Sequence, residues 1–249
     1  MLPIRDHNPS GRTPVVVYAL MATNILVFLS YFGIMDDPHY FSRLMFDWAL
    51  IPARVAQGDG AYTLITSTFL HGGFLHLAGN MLFLWIFGDN LEDEMGHGPF
   101  LLFYLACGLG AGLIHVAAGP GSMVPTVGAS GAIAGVMGGY MLLFPRARVD
   151  IFIFLVILIR IIPVPSWVML GVWLGLQVMG GIGTDPDAGG VAYWAHAGGF
   201  AVGLILTLPL WLRRGGAAFW NRTHGHPPHA EHRYRIATTR IPRVPRSRR

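Results

Sequence analysis

The chain has 249 residues, of which 53% are hydrophobic and only 12% carry a charged side chain. Soluble domains usually carry about 25% charged residues, so this composition excludes an ordinary soluble protein and indicates one that crosses a lipid bilayer several times. The net charge of +4 comes from an arginine-rich C-terminus rather than from a uniformly basic surface, so no nucleic-acid partner is expected.

Six apolar segments are candidates for helices that cross the bilayer, which takes roughly 20 residues per crossing. They predict an all-α membrane protein whose core is a bundle of six transmembrane helices. This domain covers residues 14–212, after a short N-terminal tail (1–13) and before a basic tail (213–249) that we expect to be disordered and attracted to anionic lipid. The predicted spans are Pro14–Ile34, Leu75–Phe87, Phe100–Ala118, Ser130–Phe144, Pro165–Ile182 and Trp194–Leu212.

Two connections between these segments have mixed character. The stretch FSRLMFDWALIP, within residues 35–74, is partly amphipathic and is expected to lie along the membrane interface. Residues 151–162 are apolar but contain Arg160, and the segment either extends the fifth span or forms a separate interfacial segment. An arginine is costly in the middle of a span, which favours the second interpretation.

The arginines predict the orientation, because loops rich in Lys and Arg stay on the cytoplasmic side. With six spans, three arginine pairs fall on one side, which places both termini in the cytoplasm. Arg43 and Arg54 lie on the other side and are a modest counter-signal. Since no long targeting extension precedes the first span, we expect the plasma (inner) membrane of a bacterium. The three pairs are Arg5 and Arg12, Arg146 and Arg148, and Arg213 and Arg214.

Polar residues inside apolar segments are the best pointers to function in a membrane protein. In HGGFLHLAGNM, His76 and Asn80 are four residues apart and share one face of the second span. They are either hydrogen-bonding glue between helices or a pair of aimed donors. No carboxylate at a matching spacing and no HExxH motif accompanies them, so no metal site is predicted.

Ser130 and His196 stand near the starts of the fourth and sixth spans, in GASGAIAG and AHAGGFAVG. Each alone is more typical of helix packing, since glycine tracks let backbones approach closely. Spans two, four and six run in the same direction, however, so Ser130, His196, His76 and Asn80 are expected at one depth near the outer face. That set suits a serine nucleophile with a histidine base.

In such a mechanism His196 takes the proton of Ser130 as the hydroxyl attacks a peptide carbonyl. His76, Asn80 and the backbone N–H of Ser130 would then hold the oxyanion. No acidic third member is evident near His196 in its span, so the pair is expected to act as a dyad.

The motifs HGGFLHLAGNM, GASGAIAG and AHAGGFAVG, in this order and on separate spans, resemble those of the rhomboid intramembrane serine proteases. GDNLEDEMG after the second span also fits, and the similarity covers about residues 63–212. The resemblance implies a six-helix core, no cofactor or metal, and cleavage of single-span membrane proteins within the lipid bilayer or near it. Ser130 and His196 match the dyad, His76 and Asn80 the oxyanion side chains, and His71 the further histidine of that motif.

This sequence departs from the family pattern in two places. Ala134 stands four residues after the serine, where many members have an aromatic residue against the histidine, so Trp194 and Tyr193 become candidates for orienting His196. Tyr62 and Thr63 occupy the place of a Trp-Arg pair in the first outer loop, which leaves the anchoring of that loop open.

The main alternative is a non-catalytic rhomboid-like protein that binds transmembrane helices. Inactive relatives typically lack the serine or the histidine, and this chain has both. A transporter or channel is a third interpretation, against which no acidic residue lies within a predicted span and no inverted repeat is visible. The sequence specifies no oligomeric state and no particular substrate.

Overall fold

The computed structural model describes residues 2–8, 10–155, 158–185, 187 and 189–228. It is mostly helical, with a small antiparallel sheet of β1 (Leu2–Asp6), β2 (Arg148–Leu155) and β3 (Leu158–Pro165) in the order β1-β2-β3. The helices are α1 (Val15–Phe32), α2 (Pro38–Trp48), α3 (Pro52–Ala56), α4 (Thr63–Thr66), α5 (Phe74–Met95), α6 (His97–Ala118), α7 (Ser130–Leu143), α8 (Ser166–Gly183), α9 (Tyr193–Arg213) and α10 (Ala217–Thr223).

Four helices of the described residues, α1, α6, α8 and α9, are long and apolar enough to cross a bilayer. A fifth candidate is the pair formed by residues 63–69 and α5, which meet at a bend of 95°. α7 is apolar but has only 14 residues, fewer than the roughly 20 of a full crossing. The chain is therefore a multi-pass membrane protein with four to five candidate spans by length, and α7 is enclosed among them.

α7 forms the centre of the bundle, and every residue from Gly131 to Tyr140 is buried. Its backbone meets that of α9 so closely that a Cβ on Gly199 would overlap the carbonyl oxygen of Gly131. The same overlap recurs one turn later between Gly203 and Gly135. Small residues permit such contact between membrane helices, so the close approach predicted from the two glycine tracks is confirmed.

Of the segment 151–162, residues 151–155 lie in β2 and residues 158–162 lie in β3, which pair with each other. Its β-branched and aromatic residues suit a strand, and α8 begins only at Ser166, after Pro163 and Pro165, which lack the N–H that a helix interior requires. Extension of the fifth span through this segment is therefore wrong, and the all-α class is corrected to a mostly helical fold with one sheet. An interfacial position for the hairpin stays a prediction.

The connection between α1 and α5 is folded back on itself. FSRLMFDWALIP falls mainly in α2, which begins at Pro38 under a cap from Asp37. At Tyr62, where many family members have the Trp of a Trp-Arg pair, the hydroxyl donates to the Asp47 carbonyl at 2.7 Å. One turn later the Thr66 hydroxyl donates to the Trp48 carbonyl at 2.8 Å. The end of α2 thus anchors this loop.

The chain turns back after α9 and forms α10. Phe219 is buried there, and the indole N–H of Trp220 donates to the Leu142 carbonyl at 2.9 Å. Disorder starting at residue 213 is therefore wrong for this part of the tail, because its aromatic rings pack on the bundle. The remainder of the predicted tail, 229–249, lies outside the described residues.

Candidate active site

Gly128 marks the point where the start of α5 meets the loop before α7. Its φ of +128° lies in a region that favours glycine. A Cβ at this position would lie 2.7 Å from His76 Nε2 and 3.6 Å from Asn80 Nδ2. His76 and Asn80, which share one face of α5, therefore directly adjoin the segment that leads to Ser130.

Ser130 is the first residue of α7, and His196 lies in the first turn of α9. Their side chains meet, with 2.7 Å between Ser130 Oγ and His196 Nε2. Because Ser130 begins its helix, its backbone N–H belongs to the first-turn donors that have no acceptor within the helix. A hydroxyl hydrogen-bonded to an imidazole, with free N–H donors beside it, is the arrangement needed for nucleophilic attack on a carbonyl.

The site opens into a cavity of about 530 Å³. The residues singled out from the sequence as catalytic or oxyanion-binding all line it: Ser130, His196, His76 and Asn80. Asn80 itself is buried, and its Nδ2 has no hydrogen-bond partner among the described residues. The structure thus brings the four side chains together and leaves an unpaired amide donor beside the serine.

Two residues that sequence reasoning missed contact the histidine from α8. Gln177 Oε1 lies 2.9 Å from His196 Nδ1. The ring of Trp173, one turn earlier on α8, lies 5.8 Å from the His196 ring between centroids, with 32° between the planes. The available signal was that Gln177 interrupts an otherwise apolar segment, with Trp173 four residues before it on the same helix face.

The groups proposed from the sequence for orienting His196 have other neighbours. Tyr193 packs on Gly180 and Trp194 packs on Gly181, where an added Cβ would meet each ring within 2.9 Å. Both aromatic residues thereby hold the start of α9 against the end of α8. The assignment of Tyr193 and Trp194 to the histidine is wrong, because the turn that carries them rotates their rings towards α8.

His71, the further histidine of the α5 motif, does not line the cavity. It is buried at the bend before α5, and its backbone N–H donates to the Tyr31 hydroxyl at 2.7 Å. That hydroxyl in turn donates to the His71 carbonyl at 2.9 Å. The His71 ring lies 5.2 Å from the His76 ring between centroids, nearly edge-on, so it packs behind the cavity wall.

The family model of the Rhomboid domain matches residues 58–213, which include α4 to α9 and every side chain of the site. This chain belongs to the rhomboid family. The rhomboid domain thus contains the Ser130–His196 pair and the α8 residues that contact it.

Several curated rhomboid proteins are similar to this chain. It is 31% identical over 196 residues to Rhomboid protein 1, mitochondrial, of Saccharomyces cerevisiae, which covers 76% of this chain and 51% of that protein. It is 31% identical over 184 residues to RHOMBOID-like protein 4 of Arabidopsis thaliana (74% and 42% covered), and 35% identical over 128 residues to Rhomboid protease GluP of Bacillus subtilis (51% and 24% covered). The chain spans about half or less of the length of these relatives.

Proposed function

We propose that this protein is an intramembrane serine endopeptidase that hydrolyses peptide bonds of single-span membrane proteins within the bilayer or near it. The observation that carries the proposal is the 2.7 Å contact between Ser130 Oγ and His196 Nε2 in a cavity between apolar helices. Membership of a family whose relatives include a protein named as a protease supports it. The helices α1, α5, α6, α7, α8 and α9 would be the six of the bundle, with α7 as the short central one.

The reaction follows from the positions of the groups. His196 Nε2 takes the hydroxyl proton while Ser130 Oγ forms a bond to the carbonyl carbon, and the C–N bond then breaks as His196 returns the proton to the leaving amine. Water, activated by the same histidine, hydrolyses the acyl ester and regenerates the serine. Formation of the ester and its hydrolysis both need a base next to Ser130 Oγ, and the imidazole lies there.

The developing oxyanion requires donors that are already in place. The side chains of His76 and Asn80 and the N–H of Ser130 are the groups we assign to this role. The unpaired Nδ2 of Asn80 supports the assignment, because a buried donor without an acceptor is unfavourable and an oxyanion would supply that acceptor. Gly128 supports it too, since its lack of a side chain leaves space next to the His76 ring and the Asn80 amide.

The topology is part of the proposal. α7 and α9 both begin at the cavity, and the sheet that holds Arg5 and Arg148 lies towards the other end of α7, where Asp6 contacts Tyr140. By the positive-inside rule this arginine-bearing end faces the cytoplasm, so both termini are cytoplasmic and the cavity faces the outside. We assign the protein to the plasma (inner) membrane of a bacterium.

The test uses the full chain, purified in detergent and returned to liposomes with a model single-span substrate. A fluorophosphonate probe should label Ser130, and Ser130→Ala and His196→Ala should each remove both labelling and cleavage. The matched controls Ser30→Ala and His39→Ala lie on exposed positions of α1 and α2 and should leave both intact. Full cleavage by the Ser130→Ala protein would overturn the proposal, and a folded protein without labelling would favour the non-catalytic alternative.

A further inference from the structure

Gln177 is a polar side chain buried in the apolar helix α8. It makes two hydrogen bonds with different atoms. Its Nε2 donates to the Trp173 carbonyl at 3.3 Å, and its Oε1 lies 2.9 Å from His196 Nδ1. A carboxamide has one donor nitrogen and one acceptor oxygen. Reversing the amide would set its oxygen against the Trp173 carbonyl oxygen, so the helix backbone itself keeps the acceptor turned to the histidine.

This orientation determines which nitrogen of His196 carries the proton. A neutral imidazole has one N–H donor and one acceptor nitrogen. Because Gln177 offers only an oxygen, Nδ1 must carry the hydrogen, and Nε2 is left with its lone pair towards Ser130 Oγ. That tautomer is the one in which Nε2 can act as a base. The Nδ1–H bond persists when the ring becomes an imidazolium, so the contact remains through the reaction.

Trp173 restricts the same ring from its face. Its ring is 5.8 Å from that of His196 and 6.2 Å from that of Phe200, so the indole is held between two residues of α9. A cation near the face of an indole within about 6 Å is stabilised. Trp173 thus supplies, from a different helix, an aromatic contact with the histidine that Ala134 cannot make.

We propose that Gln177, supported by Trp173, is a positioning residue that holds His196 in the Nδ1–H tautomer. The proposal rests on the proposed function, in which His196 is the base. The expected dyad then becomes a hydrogen-bonded row of three side chains, Ser130 of α7, His196 of α9 and Gln177 of α8. The competing interpretation is that Gln177 only joins α8 to α9, as polar side chains do in membrane bundles. The two differ in the state of His196 and not in the fold.

The direct test is the tautomer of His196, measured by ¹⁵N NMR of the full chain labelled at histidine, with the resonances assigned by comparison with His196→Ala. The unaltered protein should show a protonated Nδ1 and an unprotonated Nε2. Gln177→Leu, which has a similar volume and no acceptor, should shift the population towards Nε2–H. Protonation at Nε2 in the unaltered protein overturns the proposal. This measurement needs no substrate, so it decides the matter even if the protein cleaves nothing and the proposed function fails.

The kinetic test separates positioning from packing. Gln177→Leu should lower kcat by about 10- to 100-fold with KM nearly unchanged, since losing the correct tautomer harms chemistry rather than binding. The matched control Leu176→Ala changes the adjacent, lipid-exposed position of α8 and should keep full activity. Thermal melting checks that both proteins are folded. If they are, an equal kcat for Gln177→Leu and the unaltered protein overturns the proposal.

The pH profile gives a second, independent signature. Gln177→Glu places a carboxylate beside Nδ1–H. A negative charge there stabilises the imidazolium, so His196 should lose its proton at a pH about one unit or more higher. The acidic limb of kcat/KM should therefore move to higher pH. The other titratable residues that line the cavity are His76, His115, Asp185 and Tyr193, and they are unchanged in this variant. An unmoved acidic limb with unimpaired kcat overturns the proposal.

Discussion

At the scale of single residues, the site contains an unpaired donor on Asn80 and an unfilled space beside Gly128. Asn80 Nδ2 is buried without a hydrogen-bond partner among the described residues, although such an atom is normally paired. Gly128 has no side chain to fill the space beside it, and its N–H is tied to the Ser67 carbonyl at 2.9 Å. A fixed loop and an unpaired donor together suit an oxyanion site, which is occupied only while a substrate reacts.

We therefore expect Asn80→Ala to lower kcat by about 100-fold without abolishing cleavage, because His76 and the Ser130 N–H remain as donors. KM should change little, since the lost interaction belongs to the transition state. The measurement is steady-state cleavage in liposomes, with Asn221→Ala, an exposed position on α10, as the control. A kcat equal to that of the unaltered protein would exclude Asn80 from the oxyanion site.

At the scale of elements, the α7–α9 contact brings the serine and the histidine together. The two helices touch through backbone at Gly135 and Gly203, where a Cβ has no space. Ser130 begins α7 and His196 lies in the first turn of α9, so a small displacement of either axis changes their separation. The glycines are thus a structural condition of the site, although none of them belongs to its chemistry.

Gly203→Ala should lower the melting temperature and the rate of probe labelling at Ser130 together. The added methyl group must push α9 from α7, and overpacking of this kind costs about 1–3 kcal/mol. Gly171→Ala is the matched control on α8, where nothing lies within 4 Å of the added Cβ. It should be neutral or stabilising, because alanine is the better helix former. Equal melting temperatures for the two variants would contradict this account of the interface.

At the scale of the whole molecule, the two ends of the bundle differ. One end holds the open cavity, and the other is closed by β1 and the polar side chains beneath it. Asp6 accepts from the Tyr140 hydroxyl at 3.0 Å and from Asn90 Nδ2 at 2.9 Å. The Glu92 carboxylate accepts from the first N–H groups of α1, at 2.9 Å from Val16 and 2.8 Å from Val17. The N-terminal segment is thereby part of the folded bundle.

Burial, reinforced by the nearby charge of Asp89, raises the pKa of Asp6 to about 8. Asp6 is therefore protonated in the folded protein at neutral pH but would ionise near pH 4 when unfolded. Its contribution to stability is complete below pH 4 and is lost as pH rises to about 8, because the unfolded state binds fewer protons in that window. We expect the melting temperature to be about 5 °C higher at pH 5 than at pH 9.

Asp6→Asn should remove most of this pH dependence, since the amide oxygen still accepts from Tyr140 and Asn90 but no longer ionises. Asp36→Asn, at an exposed position after α1, should preserve the dependence of the unaltered protein. The measurement is thermal unfolding in detergent across this pH range. A pH dependence that is the same in both variants would show that Asp6 is not its source.

The sequence by itself determined the membrane class and most helical segments within a few residues, although α5 continues to Met95, well past its predicted end at Phe87. It also singled out Ser130, His196, His76 and Asn80 as candidate site residues. These were readable because lipid excludes polar groups and because helix periodicity and span direction set the depth of each residue. Only the tertiary structure decided that Gln177 and Trp173 contact His196 and that residues 2–6 pair with β2. Both depend on how elements far apart in the chain are rotated and registered against each other. That is settled by packing across the whole bundle, and no local pattern of residues records it.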